Sequence, residues 1–148
     1  MADTDLIKLY SARILALAAD IPFLDRLETP DATVKKRSPL CGSTVTVDVV
    51  MTDGRISAFG QDVKACALGQ SAASVLGAAV IGRTPAELDR ARDELKAMLK
   101  QDGPVPSAPF DGYEVLLPAR DYKNRHASIL LAVEATAEAA HQAMAISA

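Results

Sequence analysis

The spacing of hydrophobic positions changes character several times along the chain. In "DTDLIKLYSARILALAAD" Leu6, Ile7, Tyr10, Ile14, Leu15 and Leu17 recur at helical intervals, with Thr4 or Asp3 placed to cap the start. Pro22 and Pro30 end that run. "ATVKKRSP" follows, a short and strongly charged extended segment closed by a proline, which suits the edge of a sheet. "TVTVDVVMT" then alternates with period two. Val45, Val47, Val49 and Met51 point one way, and Thr44, Thr46, Asp48 and Val50 the other. Asp53-Gly54 is the strongest hairpin signal in the sequence, because glycine takes a positive φ without steric cost. "RISAFGQDV" returns as the partner strand, with Gly60 marking a bulge or a close approach.

From Cys66 the texture shifts to "CALGQSAASVLGAAVIG", a helix whose small residues let a neighbouring backbone come near, with Gly82 as its C-cap. Thr84-Pro85-Ala86-Glu87 is a capping box that opens a new helix. Its buried stripe is Leu88, Ala91, Leu95, Met98 and Leu99, and it ends near Lys100. "QDGPVPSAP" reads as loop and "FDGYEVLLPARDYKN" as a short helix. "RHASILLAVEATAEAAHQAMAI" is a last helix, apolar at Ile129, Leu130, Val133, Ala137 and Ala140. The order predicts an α+β fold: a three-stranded antiparallel sheet with helices packed mainly on one face. Residues 1–148 suit a single domain with a sizeable core.

Composition narrows the function classes. A net charge of −3 disfavours a general nucleic-acid binder, since nothing neutralises phosphates in bulk. No apolar stretch approaches the roughly 20 residues of a membrane span. "MADTDLIKLYSARIL" lacks the basic lead of a secretory signal, so a cytoplasmic protein is expected. In that compartment the two cysteines are fillers, ligands or reactive thiols rather than a permanent disulfide.

Cys41 lies twelve residues before the Asp53-Gly54 turn and Cys66 twelve after it. Antiparallel pairing therefore brings them together at the open end of the hairpin. Cys66 also begins a helix, where the dipole favours a negative sulfur. Such a pair can meet around a metal or each other, or each can be an incidental small residue. His126, at the start of the last helix, is the third candidate donor. His141 reads as a surface residue, and Lys35 to Arg37 as protection of an edge strand. Ser128 reads as bonding back to its own helix or facing solvent. Phosphate-binding, zinc-protease, Cys-x-x-Cys and Ser-His-Asp patterns do not occur, and the carboxylates are scattered, so no enzyme is indicated.

The order of motifs resembles the iron–sulfur cluster assembly scaffold family of the IscU, SufU and NifU N-terminal type. "PLCGSTVTVDV" is similar to that family's P-x-C-G-D passage, and "DGRISAFGQDVKACALGQSAAS" to its D-G-x-I…F-x-G-x-G-C passage. "GRTPAEL" resembles its G-K-[ST]-x-x-E helix start, and "RHASILLAVEA" its H-C-S-I-L helix. The resemblance implies that Cys41 and Cys66 match two of three ligand cysteines and that His126 matches the histidine beside the third. It implies a [2Fe–2S] cluster or iron as cargo, with zinc as a substitute. It also implies a cysteine desulfurase and acceptor proteins as partners, and a monomer or weak homodimer. Two departures stand out. Ala127 occupies the third cysteine's position, and Ser43 replaces an aspartate. "LLPARDYKN" only echoes the family's chaperone motif.

A [2Fe–2S] cluster takes four terminal ligands, and Cys41, Cys66 and His126 supply three. The fourth would come from Ser43, water, a small thiol or a second chain. Three readings follow. The first is a scaffold or carrier with an incomplete Cys/Cys/His site. The second is a relative that kept the fold and binds partners without a cluster. The third is a thiol-active protein in which Cys66 accepts sulfur as a persulfide.

Overall fold

The computed structural model describes residues 11–39 and 42–147. Three strands, β1 (Ala32–Arg37), β2 (Thr44–Thr52) and β3 (Arg55–Lys64), form one antiparallel sheet in that spatial order. Asp53 and Gly54 both take positive φ, 54° and 77°, as a two-residue hairpin loop of the twist-matching type requires. The register steps between Val50, opposite Ala58, and Met51, opposite Ile56, leaving Ser57 as the extra residue. Its hydroxyl donates to the Val50 carbonyl at 3.2 Å. The bulge therefore belongs to Ser57. Gly60 is the close approach: a Cβ there would lie 2.6 Å from the carbonyl oxygen of Asp25.

The helices follow the sequence signals with local shifts. α1 spans Ala12–Ala19, and the Ser11 hydroxyl caps it by accepting from the Ile14 amide. The cap expected at Thr4 or Asp3 falls outside the described residues. Ile14 is buried, whereas Leu15 is 51% exposed despite its place in the apolar pattern. α2 spans Ala67–Ala79 and stops at Val80, short of the expected Gly82. Gly82 instead turns the chain at φ +88° and donates its amide to the Ile56 carbonyl at 2.8 Å. α3 spans Pro85–Lys100, with the predicted capping box in place and all five predicted stripe residues buried. The short helix expected in "FDGYEVLLPARDYKN" is present in 3-10 form, from Asp111 to Asp121, and a further 3-10 turn runs from Lys123 to Arg125. α4 spans His126–Ser147. It lies against β1 and β2 and also against α2 and α3, so it is buried on more sides than one stripe predicts. Its many alanines allow that: a slim helix can be enclosed without leaving voids. The fold is the α+β arrangement expected.

One finding runs against the strand's alternation. Asp48, assigned by its spacing to the polar face of β2, is fully buried. The segment between α1 and β1 crosses that face, which is why Gly60, paired with Asp48, must lack a side chain. Arg26 clasps the carboxylate through Nε and its terminal nitrogen, the Leu27 amide donates at 3.1 Å and the Thr33 hydroxyl at 2.6 Å. Burial pushes the Asp48 carboxyl up, but these hydrogen bonds and the Arg26 charge together outweigh it and hold the group below the usual carboxylate range. Gln61 fastens the same segment: its amide donates to Phe23, and its side-chain nitrogen donates to Pro22 and to Ala73 of α2.

Candidate metal centre

The ladder between β2 and β3 ends at Thr44 opposite Lys64. Past that pair one strand leads to Cys66 at the head of α2, and the other leads back through Ser43 and Gly42 to Cys41. Cys41 itself lies outside the described residues. The ends of its loop are pinned: the Ser38 amide donates to the Ser43 carbonyl at 2.8 Å, and the Gly42 amide donates to the Ser38 carbonyl at 2.9 Å. Gly42 takes φ +70°, a conformation that L side chains rarely adopt.

Cys66 is half-buried and has extended backbone as the N-cap of α2, and its sulfur makes no capping bond to that helix. It turns instead toward α4. Cys66 Sγ lies 3.6 Å from Ser128 Oγ, and Ser128 Oγ donates to Ser43 Oγ at 3.2 Å. Ser128 and Ser43 are buried, at 1% and 4% exposure. Ser128 thus neither bonds back to its helix nor faces solvent, as its sequence context had suggested. The signal for it in the sequence is Gly69, a glycine inside a helix, where it costs about 1 kcal/mol relative to alanine. A Cβ at Gly69 would sit 2.6 Å from Ser128 Oγ and 2.8 Å from Ala65 Cβ. Gly69→Ala is therefore expected to destabilise the domain by about 1 to 2 kcal/mol, overpacking outweighing the gain in helix propensity. Denaturant unfolding measures it, and a stabilised variant would reject the close approach.

His126, the first residue of α4, is 3% exposed. Its Nε2 lies 3.0 Å from the carbonyl oxygens of both Ala119 and Arg120. Two acceptors on one nitrogen require that Nε2 carry the proton, so Nδ1 is the lone-pair nitrogen of the neutral ring. No described contact joins His126 to Cys66. Ser128, two residues further on, leaves the helix on another side, which explains why it and not His126 reaches the thiol. Ala127 stands between them with no donor atom. Among the described residues no three His, Cys, Asp or Glu side chains gather as a metal site. His141 Nε2 pairs with Asp89 Oδ2 at 2.8 Å on the surface, and Lys36 pairs with Glu138 at 3.3 Å, tying the edge strand to α4. A cleft of about 750 Å³ lies along the other half of α2, between Leu17, Phe23, Gly77 and Ile81. It contains none of the candidate donors.

A three-stranded antiparallel sheet, helices stacked on one face and a cysteine beside the open end of the hairpin define a small α+β sandwich. Comparison with solved structures makes this specific. The N-terminal domain of a nitrogen-fixing NifU-like protein from Brucella abortus superimposes with a TM-score of 0.92 at 44% identity, over 95% of this chain and 98% of that one. The chain belongs to the NifU-like N-terminal family, of IscU/SufU/NifU type. A protein described as an iron–sulfur cluster assembly scaffold of the SUF system, from thermophilic Fervidobacterium islandicum AW-1, shares the fold. Its TM-score is 0.79 at 18% identity, over 90% of this chain and 98% of that one. A hypothetical protein shares it also, at 0.77 and 21%, over 91% and 98%. No protein-family model matches the chain, and no curated protein matches it. Among the described residues no helix is long and apolar enough to cross a membrane.

Proposed function

We propose that this protein is an iron–sulfur cluster assembly scaffold or carrier, taking iron or a [2Fe–2S] cluster as cargo at the open end of its hairpin. The observation that carries this reading is the convergence there of Cys66, Ser128 and Ser43, the last being two residues from Cys41 in the chain, in a domain 44% identical to a NifU-like one. Cys41 and Cys66 are the sulfur donors. His126 is the nitrogen donor through Nδ1, its ring oriented by backbone carbonyls as metal-binding imidazoles commonly are. A [2Fe–2S] cluster carries its terminal ligands on two irons, so donors that diverge from one helix turn can serve different irons. An oxygen donor from the serine pair completes the set. Zinc fits the same donors as a substitute. Sulfur comes from a cysteine desulfurase, and the loaded cargo passes to acceptor proteins.

Anaerobic reconstitution with ferrous iron and sulfide tests the reading. The expected result is a protein that keeps both through gel filtration and absorbs broadly in the visible. His126→Ala should retain several-fold less iron. Failure of the wild-type protein to hold iron would reject the proposal, and unchanged retention in His126→Ala would remove that residue from the set.

A further inference from the structure

Resting on that function, the geometry points to Ser128 as an oxygen ligand that takes the place left empty by Ala127. We propose that the cargo metal bound by Cys66 Sγ is bound at the same time by Ser128 Oγ. A tetrahedral metal holds sulfur at about 2.3 Å and oxygen at about 2.1 Å, which sets a sulfur–oxygen separation of about 3.6 Å. The observed Cys66 Sγ to Ser128 Oγ distance is 3.6 Å. The two atoms already stand at the edge length that such a metal requires, with no movement of either helix.

The hydrogen-bond directions agree. Ser128 has one proton and gives it to Ser43 Oγ, so a lone pair of Ser128 faces the thiol, whose S–H donates to it. When a divalent metal binds, the thiol proton leaves to water and a metal–sulfur bond forms. The metal then takes the position of that proton against the same lone pair. The O–H of Ser128 still donates to Ser43, which becomes the outer partner that orients the ligand. Ser43 is thus the orienting residue of the pair and Ser128 the ligand. Gly69 is the third part of the arrangement. It is fully enclosed in α2, and any side chain there would displace Ser128 Oγ. The glycine keeps the oxygen where the metal needs it.

Cobalt(II) is a suitable probe, because thiolate-to-cobalt absorption counts sulfur ligands and d–d bands report a tetrahedral site. The full chain should be titrated anaerobically as wild type, Ser128→Ala, Ser128→Cys and Cys66→Ser. Ser128→Ala is expected to weaken cobalt binding roughly tenfold or more. Ser128→Cys is expected to bind more tightly than wild type and to add one thiolate's worth of charge-transfer absorption. A purely structural role for Ser128 would not produce that added absorption. Equal affinity in wild type and Ser128→Ala, or no added absorption in Ser128→Cys, would overturn the assignment while leaving the proposed function standing. If the wild-type protein bound no cobalt, or Cys66→Ser bound it as tightly, the proposed function would fall and this inference with it.

Discussion

Replacing Cys66 by serine will leave the domain folded and strip it of stable iron. The substitution is nearly isosteric at a half-buried N-cap, a position where serine is a preferred residue, so the helix start loses nothing. A serine hydroxyl can take up the contact with Ser128 that the thiol now makes. What disappears is the thiolate, a strong donor for iron whose place a neutral hydroxyl does not fill. Iron affinity should fall at least tenfold, about 1.4 kcal/mol or more, and the reconstituted visible absorption should be lost. Circular dichroism and the thermal midpoint should stay close to wild type. A Cys66→Ser protein that keeps its full complement of iron would take the sulfur, and the whole site built on it, out of consideration.

The largest effect on stability is expected from Asp48→Ala. The carboxylate is fully buried, and it receives hydrogen bonds from Arg26, Leu27 and Thr33. Its removal leaves the Leu27 amide and the Thr33 hydroxyl without their acceptor and detaches the segment that crosses the sheet. Arg26 is 48% exposed and rehydrates, which moderates the loss. The net cost should be about 3 kcal/mol, or roughly 10 °C in thermal midpoint for a domain of this size. The effect depends on pH with a defined sign. The group titrates lower in the folded protein than in the unfolded chain. Its contribution is therefore present above the unfolded carboxylate value of about 3.9 and disappears as pH falls through the folded value. Wild type and Asp48→Ala should differ most at neutral pH and converge in strong acid. A difference below about 1 kcal/mol at pH 7, or one that grows on acidification, would show that the clasp does not hold this face.

The elements that could be read from the sequence were those with local causes. Asp53-Gly54 sets its hairpin by backbone sterics, and Thr84 to Glu87 starts α3 by satisfying its own amides. Both appear as expected. The misplaced features depend on contacts distant in the chain. Asp48 alternates into the polar face of its strand, but a crossing segment covers that face. An acid in the middle of a valine-rich strand was the available clue. Gly60 is the close approach of the two roles its place in the strand allowed, where Asp25 passes, and the bulge falls at Ser57. The resemblance named Cys41, Cys66 and His126, and the structure adds the contact of Cys66 with Ser128, a residue that the H-C-S-I-L passage contains without giving it a part. Its role is visible only when α2 and α4 are brought together, since Gly69 and Ser43 give it meaning from far away in the chain.

Ser128 belongs to the first turn of α4, the helix that the sheet and two other helices enclose. A metal fastened to that turn is fastened to the interior of the domain. By ligand linkage, free metal at a hundred times its dissociation constant adds about 2.7 kcal/mol to global stability. Empty and loaded molecules would then differ in lifetime as well as in cargo, and proteolytic turnover would fall first on the molecules with nothing to deliver.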